Sequence, residues 1–383
     1  DYAALRQRQA TVVETLHKSL RSTIQKHKVE IIEGEAKIAS PGEVIVGERR
    51  LKAKNIVVAT GSQPKEILGL ETDGERILNS DHLLRLEKPP KSVAIIGAGA
   101  IGCEFASFFA DIGTQVTLIE MLATCVPLED ADAGKVVAKS FAERGVTVMT
   151  SAKVLADRTR SYDSVVELAV EHGGETKQVK AGAVLMAVGR EAVTQKLGLE
   201  NTKAQIERGW VKVDEKYRTD EPSVYAIGDA IGGLLLAHVA GAEGHIAAAV
   251  IAGQETEKLD YKRVPRVTYS HPQVASVGIT EAQAKEQGHK AKAQRFSLKG
   301  SAMALIHDET DGFAKVVFDQ ESGDLLGVHL VGAHVAEMIS EAALGRFLEA
   351  SAWELGTSIH PHPTLSEALG DAAQLSAGIS IYW

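Results

Sequence analysis

Cysteine is scarce in this chain: its 383 residues hold two, Cys103 and Cys125, in unrelated contexts and without metal-ligand spacing. That excludes a disulfide-built scaffold and a structural zinc module, and it predicts a reducing compartment, the cytoplasm. Basic charge is short as well. With 42 Lys and Arg against 51 Asp and Glu the formal net charge is -9, so nothing is available to displace phosphate counterions and a nucleic-acid partner is not expected. Long apolar runs are missing too. The most hydrophobic stretch, residues 234–251, is interrupted by His238, Glu243 and His245, and does not read as a membrane span. The chain opens on Asp1 rather than Met and shows no signal-peptide shape. What remains is an ordinary globular composition, 44% hydrophobic and 24% charged, at a length that suits two or three domains.

Periodicity organises the chain. Over residues 3–28 the apolar positions Val13, Leu16, Leu20 and Ile24 recur at helical spacing. Strand-like runs follow at 29–33, 44–46 and 55–59, the last ending in Thr60-Gly61-Ser62. Pro89-Pro90 then breaks the pattern and marks a domain boundary. Residues 92–149 alternate strand, helix, strand, helix, strand, which predicts an α/β fold with a parallel sheet. Further strands are expected at 165–170, 178–179, 184–188, 210–213 and 224–227, and a helix over 237–252. From about residue 265 the order turns to α+β, with a capping box at Thr280 and Gln283, a turn at 322–324 and a long helix over 335–348.

Gly97-Ala98-Gly99-Ala100-Ile101-Gly102 follows a strand and opens a helix, the context of a dinucleotide fingerprint. The first glycine permits the tight turn, the second the approach of a pyrophosphate, the third helix-on-strand packing. Glu120 ends the next strand 18 residues after Gly102. A carboxylate there accepts ribose hydroxyls and repels a 2'-phosphate, which favours NAD over NADP. Next in the helix come Cys103, read as a small core-facing residue, and Glu104, which either sits in solvent or points toward the nicotinamide. Thr60-Gly61-Ser62 and Tyr225-Ala226-Ile227-Gly228-Asp229 each end an apolar strand with glycine, and Asp229 suits a ribityl or ribose hydroxyl. Near the C-terminus stands His360-Pro361-His362-Pro363-Thr364-Leu365-Ser366-Glu367. There Thr364 is expected to cap the next helix and Glu367 to hold one ring nitrogen of His362. A carboxylate-oriented imidazole is a general base, while a His-x-His metal pair is the competing reading, without a third ligand nearby.

These motifs, with Ala187-Val188-Gly189-Arg190 and Tyr269-Ser270-His271-Pro272, together resemble the flavin-dependent pyridine nucleotide-disulfide oxidoreductases, and within them the dihydrolipoamide dehydrogenase branch. The resemblance covers nearly the whole chain. It implies Rossmann-like FAD- and NAD-binding domains followed by an α+β dimerisation domain: 1–89 as a partial FAD domain, 90–212 as the NAD domain, 213–262 as a return segment of the FAD domain and 263–383 as the interface domain. It also implies that FAD touches Thr60, Gly61, Ser62, Asp229, the turn Leu235, Leu236, Ala237 and His238, and the backbone of Ala36, where the family usually has glycine. NAD then lies along Gly97, Ala98, Gly99, Ala100, Ile101, Gly102, Cys103 and Glu104, with Glu120 on its ribose, Val154 beside the adenine and Gly189 closing the site.

By the same resemblance His362 and Glu367 are catalytic, and the protein is a homodimer serving a lipoyl-bearing acyltransferase of a 2-oxo acid dehydrogenase complex, with no metal. The family's first glycine fingerprint and its Cys-x4-Cys redox pair have no counterpart here. The expectation is therefore an N-terminally truncated and inactive form; residues 376–383 also depart from the family's usual ending. A flavin reductase of another disulfide or of mercury, or an NAD-binding scaffold without flavin, are the alternative functions.

Overall fold

The computed structural model describes residues 1–162 and 164–379; positions 380–383 of the unassigned tail lie outside them. The chain divides into two compact units.

The first unit comprises Asp1–Lys65, Leu86–Pro89 and Arg190–Leu259. Its leading helix, Tyr2–Lys26, starts where Asp1 Oδ1 accepts the Ala3 amide at 2.9 Å. The strand expected at 29–33 does not form. Apolar alternation alone makes no strand, and this backbone finds no ladder partner among the described residues. An antiparallel sheet follows, Ala36–Ser40, Glu43–Val46 and Arg49–Lys52. Ile56–Val58 lies parallel to Val224–Ala226, strands 168 residues apart in register. That pairing carries the two strand-end motifs side by side. Ile38, Val58, Leu199, Val211, Val224 and Ala226 pack beneath them, and the helix Ala237–Ile251 completes the unit.

The second unit comprises Glu66–Arg85, Pro90–Gly189 and Asp260–Trp383. A five-stranded parallel sheet runs in the order Ile77–Leu78, Ala183–Met186, Ser92–Ile96, Gln115–Ile119, Thr147–Met149. Its central strand is buried at Val93, Ala94, Ile95 and Ile96, which explains a continuous apolar run instead of alternation. The helices Ala100–Asp111 and Ala131–Glu143 make the crossovers, and a meander of Ala152–Ser161, Val166–His172 and Glu175–Ala181 precedes the return strand.

The C-terminal part is an antiparallel sheet in the order Arg266–Thr268, Gln273–Gly278, Leu325–Gly332, Phe313–Asp319, Ala291–Ser297, with the helices Val335–Phe347, Ala352–Thr357 and Glu367–Ala377. The capping box forms: Thr280 Oγ1 accepts the Gln283 amide and Gln283 Oε1 accepts that of Thr280. Strand register places Arg266, Ser276, His329 and Lys315 in one cross-strand row. The row meets the start of the helix Ala131–Glu143. Arg266 grips Glu129 with two nitrogens at 3.0 and 3.3 Å, and Lys315 Nζ donates to Asp130 at 2.9 Å and to Asp132 at 3.0 Å. His329, buried in the row, has its pKa pushed down by burial. No helix of the described residues is long and apolar enough to cross a membrane.

Candidate functional site

The loop after the strand Ser92–Ile96 is shaped by its glycines. Gly97 has φ +102, and a Cβ on it would lie 2.3 Å from the Ala187 carbonyl oxygen; one on Gly102 would lie 1.8 Å from the Gly97 carbonyl oxygen. Both positions are closed to any side chain. Gly99 differs: nothing lies within 4 Å of its Cβ position, and it N-caps the helix Ala100–Asp111 without a side-chain hydrogen bond. The first amides of that helix are thus uncapped beneath an open approach, which fits a pyrophosphate. Gly189, φ +115, is likewise open.

Glu120 closes the loop from below. Its Oε2 accepts the Ala98 amide and its Oε1 the Leu122 amide, both at 2.7 Å, and the residue is buried. Sequence reading gave this carboxylate to a ribose; the fold shows that it also carries the glycine loop. Glu104 does not stand free in solvent, the first of the two orientations the sequence left open. Half-buried, it accepts the Tyr269 amide at 2.9 Å, and burial pushes its pKa up against the pull of that amide. Val154 sits on the meander strand Ala152–Ser161, paired with Val170.

In the first unit the strand ends converge. Ser62 Oγ donates to Asp229 Oδ2 at 2.5 Å and accepts from Arg190 Nε at 2.7 Å, while Thr60 Oγ1 donates to the Val193 carbonyl at 2.7 Å. Glu243, the charge that interrupts the apolar stretch, is buried and accepts the Gly228 amide at 2.6 Å, anchoring the turn that carries Asp229. Leu236 N-caps the helix Ala237–Ile251 without a side-chain bond, Leu235 takes φ 53, and Ala237 and His238 form the exposed first turn. Ala36 lies apart from these residues in chain and sheet: it begins the first antiparallel strand, opposite Val46.

The C-terminal motif builds an imidazole–carboxylate pair. His362 Nδ1 lies 2.8 Å from Glu367 Oε1, and Glu367 Oε2 accepts the Thr364 amide at 2.7 Å. Burial raises the Glu367 pKa, but the Thr364 amide and the His362 ring outweigh it and hold the carboxyl low. The ring is 73% exposed, and Nε2 has no partner among the described residues. Thr364 is not the helix cap expected of it. Its hydroxyl donates to the Pro361 carbonyl at 2.8 Å, and the helix begins only at Glu367, with Ser366 at the cap position and no side-chain cap bond. His360 points elsewhere, its Nε2 2.7 Å from Glu341 Oε1, a partner that sequence spacing could not reveal. The His-x-His pair therefore diverges onto two separate carboxylates, and no group of three metal-capable side chains occurs among the described residues.

Comparison with known proteins agrees with this architecture. The family model described as pyridine nucleotide-disulphide oxidoreductase matches residues 2–244, and that family's dimerisation domain matches residues 264–373. The dihydrolipoyl dehydrogenase of Bacillus subtilis is 40% identical over all of this chain and 84% of its own length. That of Zymomonas mobilis is 38% identical over 98% of the chain and 82% of its length. Among solved structures, LpdA from Mycobacterium tuberculosis superposes with a TM-score of 0.89 at 26% identity, covering 97% of this chain and 83% of that one. The HOCl-induced flavoprotein disulfide reductase RclA from Escherichia coli gives 0.90 at 27%, over 98% and 86%. The two family models together span residues 2–373, and the chain belongs to the pyridine nucleotide-disulphide oxidoreductase family, alongside its dihydrolipoyl dehydrogenases.

Proposed function

We propose that this chain supplies the flavin-binding, nucleotide-binding and acid–base parts of a protein that reoxidises protein-bound dihydrolipoyl groups and delivers their electrons through FAD to NAD⁺, as a cytoplasmic homodimer serving the lipoyl-bearing acyltransferase of a 2-oxo acid dehydrogenase complex. The observation that carries the reading is the His362–Glu367 pair at 2.8 Å, set in a chain related end to end to dihydrolipoyl dehydrogenases. FAD, when bound, supplies two-electron transfer between a dithiol and a nicotinamide.

The chain's own residues do the rest. With Nδ1 on Glu367, the exposed Nε2 is the nitrogen that accepts a thiol proton, and the buried side of Glu367, fixed by the Thr364 amide, keeps the ring in that orientation. In the first unit, Ser62 and Arg190 hold the Asp229 carboxylate toward a ribityl hydroxyl, and the uncapped amides at residues 236–238 suit an anionic flavin oxygen. In the second unit, the uncapped amides behind Gly99 take the pyrophosphate, and Glu120 keeps lone pairs for ribose hydroxyls while its charge opposes a 2'-phosphate.

Calorimetric titration with NADH and NADPH tests the cofactor assignment. NADH binds and NADPH binds at least about tenfold more weakly; equal affinity, or binding of neither, overturns it. The 383 residues contain no Cys-x4-Cys, so a polypeptide of these residues alone is expected to bind nucleotide without lipoamide turnover. Tight stoichiometric FAD with turnover would contradict that.

A further inference from the structure

The two cysteines, 22 positions apart in sequence, are brought to one carbonyl oxygen by the fold. Cys103 stands in the first turn of the helix Ala100–Asp111, and Cys125 in the loop between the strand Gln115–Ile119 and the helix Ala131–Glu143. Both are 0% exposed and unbridged. They gather around a single oxygen. Cys103 Sγ donates to the Ala98 carbonyl at 3.3 Å, and the amide of Val126, next to Cys125, donates to the same carbonyl at 2.7 Å. The Cys103 thiol and the peptide that carries Cys125 thus share one acceptor. The neighbouring Cys125, then burial and Glu120, push the Cys103 pKa up, so this thiol keeps its proton at neutral pH.

The loop that presents Cys125 is held under strain. Val126 has φ 42, a left-handed backbone that a β-branched residue rarely adopts. From the other side, Gly134 permits contact so close that a Cβ there would lie 2.4 Å from the Cys125 carbonyl oxygen. No function described above uses the pair. Yet Ala98, the residue on which both segments converge, is the second residue of the glycine loop, and its amide is held by Glu120.

We propose that Cys103 and Cys125 form an intramolecular disulfide when a hydroperoxide oxidises the protein, and that this bond weakens dinucleotide binding at the glycine loop. The balance is closed by hydrogen peroxide. One thiol, after losing its proton, attacks a peroxide oxygen to give a sulfenic acid, and the departing hydroxide takes up a proton as water. The second thiol then displaces a second water as the S–S bond forms, so two thiols and one peroxide give one disulfide and two waters. A buried neighbouring thiol intercepts the sulfenic acid before a second peroxide does. The disulfide carries no S–H, so Ala98 loses the Cys103 hydrogen bond on its carbonyl while the loop around Val126 is drawn toward the helix. The coupling rests on reading residues 97–102 as the nucleotide loop; the covalent step does not.

The sequence supplies a direct assay, because no Lys or Arg lies between Ser92 and Gly134, and trypsin releases both cysteines on one peptide, residues 92–135. The native 383-residue chain is treated with hydrogen peroxide, alkylated with iodoacetamide, digested and weighed, and NADH affinity is measured on the same samples. The expected peptide is about 2 Da lighter than its dithiol form and carries no alkyl group. Dithiothreitol restores two alkylation sites. NADH affinity falls about tenfold or more on oxidation and returns on reduction. Cys125→Ser yields no lighter peptide and no peroxide-dependent loss of affinity; Cys125→Ala replaces it where serine prevents folding, and the wild-type peptide decides the covalent step without either variant. Independent sulfinic acids on the two cysteines, or two free thiols after native oxidation, overturn the disulfide. A disulfide with unchanged NADH affinity overturns the coupling. A reduced chain that binds no NADH overturns the nucleotide assignment and the coupling built on it, while the peptide mass still decides the disulfide.

Discussion

Glu120 and Ala98 hold each other at 2.7 Å, carboxylate oxygen to amide, across the turn of the glycine loop. The side chain expected to meet a ribose is therefore also the strut of the loop, since its other oxygen takes the Leu122 amide at the same distance. Glu120→Ala leaves the buried Ala98 amide unpaired, at about 1–3 kcal/mol, and releases the more exposed Leu122 amide as well. The variant is expected to melt several degrees lower and to lose NADH affinity as well as its discrimination against NADPH. Calorimetry with both nucleotides, beside a thermal scan, checks this; relaxed discrimination at full stability would show that the strut role is wrong.

The glycines separate ligand space from fold space. Gly99→Ala meets nothing within 4 Å, so the fold tolerates it within about 1 kcal/mol, yet its methyl group stands where the pyrophosphate approaches. NADH affinity is expected to fall about tenfold or more at nearly unchanged melting temperature. Gly102→Ala, with its Cβ 1.8 Å from a backbone oxygen, is expected to cost about 3 kcal/mol or more. Equal stability of the two variants in denaturant titration would contradict this assignment.

Removing the imidazole tests the acid–base role. In a chain extended by an N-terminal segment that carries the Cys-x4-Cys pair, and loaded with FAD, His362→Ala is expected to slow flavin reduction by dihydrolipoamide about 10²- to 10⁴-fold and to affect reoxidation by NAD⁺ far less. Glu367→Gln gives a smaller loss, because the base remains and only its orientation and charge support change. Stopped-flow traces that slow equally in both half-reactions would refute the role.

His360 couples the C-terminal loop to pH. The Glu341 hydrogen bond raises its folded pKa, outweighing burial. A His raised above its unfolded value of about 6.5 stabilises the fold below that pH, and the contribution is lost as pH climbs through the folded pKa. His360→Gln is expected to lower the melting temperature by about 2–4 °C at acidic pH and by progressively less at alkaline pH. A pH-independent difference between the two melting curves would mean that the pair contributes through packing rather than charge.

Lys315 neutralises Asp130 at 2.9 Å, and both side chains are nearly buried. Lys315→Met strands that carboxylate, a loss of about 3–5 kcal/mol. Adding Asp130→Asn is expected to recover part of it, because the amide can still cap the helix Ala131–Glu143 without a charge to compensate. Urea titration of the double-mutant cycle measures the coupling; simple additivity would show that the two do not interact.

Local rules made much of this protein legible in its sequence. The βαβαβ alternation over residues 92–149, the glycine loop between strand and helix, the capping box at Thr280 and the five-residue reach from His362 to Glu367 each depend on neighbours in the chain. Turn, helix and strand periods operate over such distances. Where a partner lay far off, the sequence was silent or misleading. Residues 29–33 alternate like a strand, but a ladder needs a second backbone beside it; Thr364 has the chemistry of a cap, but its hydroxyl goes to the Pro361 carbonyl and the helix begins only at Glu367. Glu341 beside His360, Glu129 and Asp130 beneath a cross-strand row, and Cys125 against Cys103 leave no periodic trace. Composition and short-range pattern determined the elements, the glycine loop and the imidazole pair. Which buried charges met, which cysteines converged on one carbonyl and which carboxylate carried the loop were decided only when packing set distant segments side by side, where burial makes an unpaired polar group costly.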